Sequence, residues 1–233
     1  MFTPYLVAIE LPEGRSGLLD RVLGLLSPER QQKLRSFRIL QDTYRSLIGE
    51  ICVRLEAYKE IGMPPSQFEL VRDCYGKPSL KQHPDFHFNI SHAGRWVVCV
   101  FAPYRIGVDV EYCKPITMEI ADRYFAPSEY ESLINRPIHE QQLAFYTLWT
   151  QKESYMKAMG KGLSIPLNKI SITNLGEEQF LIDCESERQM FAQQISIEPP
   201  DYLCCVCGYK KQLLSSVQIL DVYKMFGDFM ELS

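Results

Sequence analysis

The sequence predicts an α/β protein made of two similar halves, because it contains an internal repeat and strands that follow each copy. Residues 25–62 and 124–162 resemble each other in the order of their patterns. Each copy opens with a small residue, a proline and acidic residues, which is a helix start signal. Each then runs through a short polar helix into a longer helix that ends near a glycine. This shared order is typical of a duplicated α/β unit.

The boundary between the halves is predicted near Pro103, which interrupts the apolar pattern of residues 95–102. We therefore expect an N-terminal α/β half at 1–103 and a C-terminal α/β half at 104–233. Ligand sites favour domain interfaces, so the junction of the halves is the expected place for an active site.

The bulk composition excludes several classes of protein. The chain has 233 residues, of which 46% are hydrophobic and 23% charged, and its formal net charge is −4. This charge argues against bulk attraction to nucleic acid or anionic membranes. The start, MFTPYLVAIELPEG, lacks a basic region, and no stretch approaches the roughly 20 apolar residues that span a bilayer. We expect a cytoplasmic protein with no nucleic-acid or membrane partner.

The eight cysteines are scattered, and several stand in apolar runs, as small buried residues do in a reducing compartment. Cys204 and Cys207 form a CxxC pattern, yet no second Cys or His pair has a spacing that suits zinc. A buried strand is therefore favoured over a zinc or redox site.

The first copy of the repeat, at 25–62, contains a run of basic residues. Such a run is usually a solvated helix face. In an acidic protein it is also the best candidate for an anion site. The run consists of Arg30, Lys33, Arg35, Arg38 and Arg45.

The stretch YGKPS at 75–79 predicts a turn, because Gly76 and Pro78 restrict the backbone and present Lys77 at its tip.

The stretch FHFNISHAGRW at 86–96 begins as an alternating strand and then breaks into small and polar residues. This predicts a turn at Asn89, Ser91 and His92. Hydroxyl, imidazole and backbone N–H groups in such a turn suit phosphate oxygens. The alternative is a structural histidine, and adjacency alone does not make Ser91 and His92 a nucleophilic pair.

The stretch IGVDVE at 106–111 reads as a strand whose even positions form an apolar stripe. Asp109 and Glu111 share the opposite face, roughly 7 Å apart. They are either a solvated strand face or two carboxylates that hold a cation.

A third carboxylate lies in the helix predicted at 145–162, where Glu153 and Lys157 are four residues apart and share one face. The alternative is a surface ion pair worth a few tenths of a kcal/mol. Three acids without convergent cysteines or histidines fit Mg²⁺ bound together with substrate phosphate oxygens, and zinc does not fit.

These stretches together resemble the signature blocks of the surfactin-type 4'-phosphopantetheinyl transferases. The blocks are GKP, FNISHAGRWVVCVF, IGVDVE and FYTLWTQKESYMKAMGKGL. The G-[IV]-D-[IV]-E strand and the W-x-x-K-E-[SA]-x-x-K helix are the most specific. The resemblance implies a fold of two α/β halves related by a pseudo-twofold axis, with coenzyme A and Mg²⁺ between them.

The implied reaction moves the 4'-phosphopantetheine arm of coenzyme A to a serine of an apo acyl or peptidyl carrier protein domain and releases 3',5'-adenosine bisphosphate. The resemblance leans towards non-ribosomal peptide or polyketide synthesis and a monomeric enzyme. Two alternatives belong to other classes: a non-catalytic coenzyme A or nucleotide-binding module, and a Mg²⁺-dependent phosphohydrolase.

Position by position, the resemblance implies metal ligation by Asp109, Glu111 and Glu153 and phosphate contact by Lys157. Glu153 is then the nearest plausible base for the carrier serine, and Lys157 stabilises the leaving group. Whether Glu111 binds the metal directly or through water stays open. Glu129 matches a further acid near the metal.

The resemblance also implies the coenzyme A contacts. Arg30, Lys33 and Ser46 fall at the 3'-phosphate, Gly76, Lys77 and Pro78 at the adenine end, and Ser91 and His92 at the phosphates. The segment 113–126 is implied to receive the carrier protein. Its Ile116, Met118, Ile120 and Tyr124 either contact the carrier or simply anchor a helix.

Overall fold

The computed structural model of the chain describes residues 2–14, 17–184, 187–211 and 213–233. It forms two compact α/β units. The first unit comprises Met1–Asp73, Pro78–Pro103 and Leu214–Ser233, and the second comprises Cys74–Lys77 and Tyr104–Leu213.

The first unit begins with a strand, continues through three helices and ends this part of the chain with two hairpins. Its elements are β1 (Tyr5–Glu10), α1 (Gly17–Gly24), α2 (Pro28–Arg35), α3 (Leu40–Ile61), β2 (Leu70–Arg72), β3 (Pro78–Leu80), β4 (His87–Ala93) and β5 (Trp96–Ala102). Helix α3 packs against β4 and β5, and every residue of β5 is buried. The long helix and the central strands therefore form the core of this unit.

The second unit repeats the same order of elements. They are β6 (Ile106–Tyr112), α4 (Glu119–Tyr124), α5 (Pro127–Ile134), α6 (Ile138–Met159), β7 (Ile170–Gly176), β8 (Gln179–Cys184), β9 (Met190–Ile197) and β10 (Tyr202–Gly208). They form one sheet in the order β6-β10-β9-β8-β7, and α6 packs across β6, β10 and β9.

The predicted internal repeat is confirmed in the helices as well as in the order of elements. In each unit an eight-residue helix with proline at its start precedes a helix of 22 residues. The long helices end at Gly62 (φ 79°) and Gly160 (φ 74°). Both glycines adopt the left-handed conformation that other residues disfavour at a helix C-terminus.

The last elements of the chain, β11 (Ser216–Leu220) and α7 (Val222–Leu232), return to the first unit. Strand β11 pairs in parallel with β1 and completes a sheet in the order β11-β1-β5-β4, while α7 packs against α1 and α3. The observed units depart from the predicted halves 1–103 and 104–233 at two places. Cys74–Lys77 belongs to the second unit, and the tail finds its strand partner and its apolar contacts in the first unit.

The CxxC pattern lies inside strand β10, as the sequence indicated. Cys204 and Cys207 are fully buried, and residues three apart in a strand point to opposite faces. All eight cysteines lie in the described part of the chain and are free thiols. None of the described helices has both the length and the apolarity that crossing a membrane requires.

Candidate active site

Strand β6 is buried on both faces, so the interpretation of IGVDVE as a solvated strand face is wrong. Ile106, Val108 and Val110 are at most 1% exposed, and Asp109 is 4% exposed. The odd positions of the strand face helix α6. A Cβ atom on Gly107 would lie 2.2 Å from the carbonyl oxygen of Ser154, so only glycine permits this close packing of helix and strand.

The close packing brings the end of α6 to the carboxylate of Asp109. Nζ of Lys157 lies 2.6 Å from Oδ1 of Asp109. The side chain of Asp109 is 5% exposed and that of Lys157 is 29% exposed. Lys157 therefore pairs with a buried acid of a strand, which differs from the exposed i,i+4 pair on the helix surface that was the alternative prediction.

Glu111 and Glu153 are half-buried near this ion pair. Burial is the main cause that raises the pKa of Glu111 to about 7, and the charge of Asp109 adds to it. The charge of Lys157 and a hydrogen bond with Trp149 act in the opposite direction. Burial and the charge of Asp109 also raise the pKa of Glu153. The three carboxylates thus repel one another, and one ammonium group compensates only part of this repulsion.

The donor set fits a hard divalent cation. Asp109, Glu111 and Glu153 offer only carboxylate oxygens, which Mg²⁺ prefers to nitrogen or sulfur ligands. A cation would also relieve the repulsion that raises the pKa of Glu111 and Glu153. Within the described ranges, no group of three acidic, histidine or cysteine side chains is already gathered as a metal site, and Lys157 supplies the positive charge at Asp109.

Glu129 and Lys152 bind each other and nearby backbone groups. Nζ of Lys152, which is fully buried, lies 2.9 Å from Oε1 of Glu129 and donates to the carbonyl oxygens of Leu167 and Ile170. The other carboxylate oxygen of Glu129 accepts from the amide of Ala126 at 2.9 Å. The carboxylate of Glu129 therefore holds Lys152 and the start of α5, and its place near the metal stays a prediction.

A cleft of about 1010 Å³ in the first unit gathers several of the residues predicted to bind coenzyme A. Arg30, Lys33, Ser46, Pro78 and His92 all line it. Helices α2 and α3 contribute the cations, and β3 and β4 supply Pro78 and His92. Arg30, Lys33 and Arg45 of the basic run thus line a cleft, as an anion site requires.

Two residues of the cleft were missed by the sequence interpretation. Glu50 accepts a hydrogen bond from Arg30, and Arg54 donates to the same carboxylate. Glu50 and Arg54 lie on α3 and follow Ser46 at intervals of four residues. This i,i+4 spacing is the only sequence signal that could have indicated them.

The turn predicted at Asn89, Ser91 and His92 is wrong. Strand β4 continues to Ala93, and Ser91 and His92 lie opposite Val98 and Val97 of β5. The chain turns at Gly94, whose φ of 50° lies in the left-handed region. Ser91 is buried, whereas His92 lies at the exposed end of the strand and reaches the cleft.

The prediction that Lys77 lies at the tip of a turn is wrong. The turn lies at Cys74 and Tyr75, one residue before Gly76 (φ 86°). Nζ of Lys77 donates to the carbonyl oxygens of Lys157 at 2.6 Å and Ala158 at 3.0 Å. A cation on the last carbonyls of a helix satisfies acceptors that have no intrahelical partner and complements the helix dipole.

The segment 113–126 divides between the two roles considered for it. Ile116 and Met118 pack against a buried cluster that includes Phe125. Ile120 and Tyr124 on α4 are 37% and 41% exposed. The first pair therefore anchors the segment, and only the second pair is accessible to a partner.

Comparison with known proteins defines the class to which this fold and this site belong. Residues 105–207 match the model of the 4'-phosphopantetheinyl transferase superfamily, and residues 15–103 match the model described as 4'-phosphopantetheinyl transferase, N-terminal. The chain belongs to the 4'-phosphopantetheinyl transferase family and is an enzyme of this type.

Relatives from bacilli narrow the class to the surfactin type. The chain is 38% identical over 190 residues to the 4'-phosphopantetheinyl transferase Sfp of Bacillus subtilis (strain 168), covering 81% of this chain and 84% of that protein. It is 43% identical over 157 residues to a second 4'-phosphopantetheinyl transferase of Bacillus subtilis, covering 67% and 70%. It is 34% identical over 204 residues to the transferase gsp of Aneurinibacillus migulanus, covering 86% and 81%.

Proposed function

We propose that the chain transfers the 4'-phosphopantetheine moiety of coenzyme A to a serine of apo acyl or peptidyl carrier protein domains, in a Mg²⁺-dependent reaction that releases 3',5'-adenosine bisphosphate. The observation that carries this proposal is the acidic cluster, by which we mean the carboxylates of Asp109, Glu111 and Glu153, which repel one another beside Lys157. Family membership supports the activity, and the cluster supports the use of a metal and the assignment of roles.

The acids and the lysine divide the chemistry between them. Asp109, Glu111 and Glu153 would hold Mg²⁺, which when bound neutralises charge on the pyrophosphate of coenzyme A. Glu153 takes the proton of the carrier serine. Lys157 stabilises the departing phosphate as a cation or donates a proton to it. The enzyme acts by positioning and electrostatics and needs no covalent nucleophile.

The cleft of the first unit is assigned to the adenosine end of coenzyme A. Arg30 and Lys33 supply positive charge there, and Ser46 supplies a hydroxyl group. The roles of Gly76 and Lys77 at the adenine end and of Ser91 at the phosphates remain proposals that rest on the family pattern. We assign carrier recognition to α4, where Ile120 and Tyr124 are exposed, and infer that the carriers belong to non-ribosomal peptide or polyketide synthetases.

The decisive experiment measures the intact mass of an apo carrier protein after incubation with the chain, coenzyme A and Mg²⁺. We expect a mass gain of one phosphopantetheine only when all components are present. Coenzyme A binding without any mass gain across several acyl and peptidyl carriers would support the binding module instead. Cleavage of coenzyme A without a carrier would support the phosphohydrolase.

A pair of variants on helix α6 tests the role of Glu153. Glu153→Gln removes the base and one proposed metal ligand, so transfer should be lost while some affinity for coenzyme A remains. Glu140→Gln is the matched control, because Glu140 lies in the exposed first turn of the same helix. Unchanged transfer by Glu153→Gln would contradict the proposed role.

A further inference from the structure

The carboxylate of Glu50 lies between two guanidinium groups in the cleft of the first unit. Its Oε2 accepts from Nε of Arg30 at 2.5 Å, and its Oε1 accepts from Nε and Nη2 of Arg54 at 3.1 and 2.9 Å. Glu50 is only 5% exposed. Two cations and one anion leave a net charge of +1, so the group keeps an attraction for an anion after its internal pairing.

The two arginines are also held by other groups. Nη2 of Arg30 donates to Oγ of Ser46 at 2.9 Å. Nη1 of Arg54 donates to the carbonyl oxygens of Pro65 at 2.8 Å and Phe68 at 2.7 Å. The chain of contacts therefore runs from the 3-10 turn at Pro65–Gln67 through Arg54 and Glu50 to Arg30. These contacts hold the Nε–Nη2 edge of the Arg30 guanidinium in place.

The contacts that orient the Arg30 guanidinium use only some of its N–H donors. Glu50 and Ser46 occupy Nε and one N–H of Nη2, while Nη1 meets no acceptor among the residues that the structure describes. The side chain is 20% exposed and lines the cleft. A planar guanidinium that is held at one edge presents its other edge as a fork, which matches the geometry of phosphate oxygens.

We propose that Glu50 is a positioning residue that holds Arg30 for the 3'-phosphate of coenzyme A and thereby sets the preference for coenzyme A over 3'-dephospho-coenzyme A. The identity of the ligand rests on the proposed function. The physical basis is preorganisation, since a side chain that is already ordered loses less conformational freedom when the ligand binds. Glu50 itself does not touch the ligand in this proposal.

The test compares the two donors in the transfer assay with Glu50→Gln. The substitution weakens the hydrogen bond that holds the Arg30 guanidinium, because a neutral amide oxygen replaces the carboxylate. We therefore expect KM for coenzyme A to rise about tenfold. KM for 3'-dephospho-coenzyme A and kcat with either donor should stay unchanged, because the 3'-phosphate takes no part in the chemistry. A KM that rises equally for both donors would overturn the proposal.

Glu56→Gln is the matched control for a structural effect. Glu56 is a second buried glutamate of α3, 2% exposed, and its carboxylate accepts from Tyr5 and Lys59 in a different groove. This variant should lower the melting temperature without changing the KM ratio of the two donors. A similar change of the ratio in Glu56→Gln would assign the effect to general loosening of the helix and overturn the role of Glu50.

A double variant tests whether Glu50 acts through Arg30. Arg30→Met should abolish most of the donor preference, and adding Glu50→Gln to it should change the KM ratio no further. Additive effects would show that Glu50 acts independently of Arg30 and would contradict a positioning role.

A binding measurement separates this inference from the proposed function. Calorimetry with adenosine 3',5'-bisphosphate and with adenosine 5'-monophosphate compares ligands that differ only in the 3'-phosphate. We expect tighter binding of the bisphosphate by the wild-type chain, and loss of this difference in Glu50→Gln even if no carrier is modified. Equal binding of both ligands by the wild-type chain would overturn the inference while leaving the transfer activity untouched.

Discussion

The ammonium group of Lys157 lies 2.6 Å from Oδ1 of Asp109 and joins helix α6 to strand β6 across 48 residues of sequence. This contact gives the acidic cluster its compensating charge. It also places a cation beside the carboxylates that we assign to Mg²⁺. Lys157 therefore connects the stability of the second unit with its proposed chemistry.

Replacement of Lys157 by methionine should slow transfer strongly and destabilise the second unit. The buried carboxylate of Asp109 loses its ion pair with Lys157, which costs about 2 kcal/mol in the free energy of unfolding. Loss of one electrostatic stabiliser should reduce kcat at least about a hundredfold. The carrier mass assay and thermal unfolding measure the two effects. Lys169→Met, at an exposed position after α6, is the control and should change neither.

Gly107→Ala should disrupt the site although it alters no ionisable group. The new Cβ would lie 2.2 Å from the carbonyl oxygen of Ser154 and 2.3 Å from the amide nitrogen of Ala158, so the backbone of α6 must move. We expect a loss of about 3 kcal/mol in the free energy of unfolding, as for severe overpacking. Transfer should be lost too, because Glu153 and Lys157 move with the helix.

Gly227→Ala is the matched control for that substitution. Gly227 lies inside α7, and a Cβ there would meet nothing within 4 Å. Alanine should stabilise the helix by about 1 kcal/mol. If Gly107→Ala were as well tolerated as Gly227→Ala in chemical denaturation, the close packing of α6 on β6 would be refuted.

The parts of the fold and site that could be predicted from the sequence depend on local signals. Prolines and glycines mark the ends of the repeated helices because they act on the backbone around them. The two-residue period of a strand places Asp109 and Glu111 on one face, and the four-residue spacing of a helix does the same for Glu153 and Lys157. Neighbours in sequence decide each of these features.

The features that were mispredicted depend on contacts between residues far apart in sequence. Ser91 and His92 have turn-forming types, yet pairing with β5 keeps them in a strand, because tertiary context outweighs propensity in sheets. Lys77 was predicted at a turn tip, but it donates to the carbonyl oxygen of Lys157, 80 residues away. Glu50 carries no local signal of its role, because its partner Arg30 lies on another helix.

Binding of Mg²⁺ should weaken as the pH falls, because protons compete for the same carboxylates. Glu111 has a pKa of about 7, so it is mostly protonated at pH 6 and mostly ionised at pH 8. Affinity measured by calorimetry should be about tenfold weaker at pH 6 than at pH 8. In Glu111→Gln this part of the pH dependence should disappear. An affinity that is unchanged between the two pH values would remove Glu111 from the metal site.

The same raised pKa predicts how stability depends on pH when metal is removed. The folded state holds the proton of Glu111 more tightly than the unfolded state, in which the carboxyl has its ordinary pKa of 4.5. Stability from this group is therefore greatest below about pH 4.5 and is lost as the pH rises to about 7. Chemical denaturation with a chelator should show this fall, and Glu111→Gln should reduce it.

Lys152→Met should separate the structural lysine of the W-x-x-K-E motif from the chemical residues beside it. Removal of the ammonium group takes one donor from Glu129 and from the carbonyl oxygens of Leu167 and Ile170, which costs about 3 kcal/mol in the free energy of unfolding. The double variant with Glu129→Gln should recover part of this loss, because the unpaired charge is also gone. Transfer per folded molecule should remain close to that of the wild type in both variants. A loss of kcat as large as that of Glu153→Gln, in molecules shown to be folded, would place Lys152 in the chemistry instead.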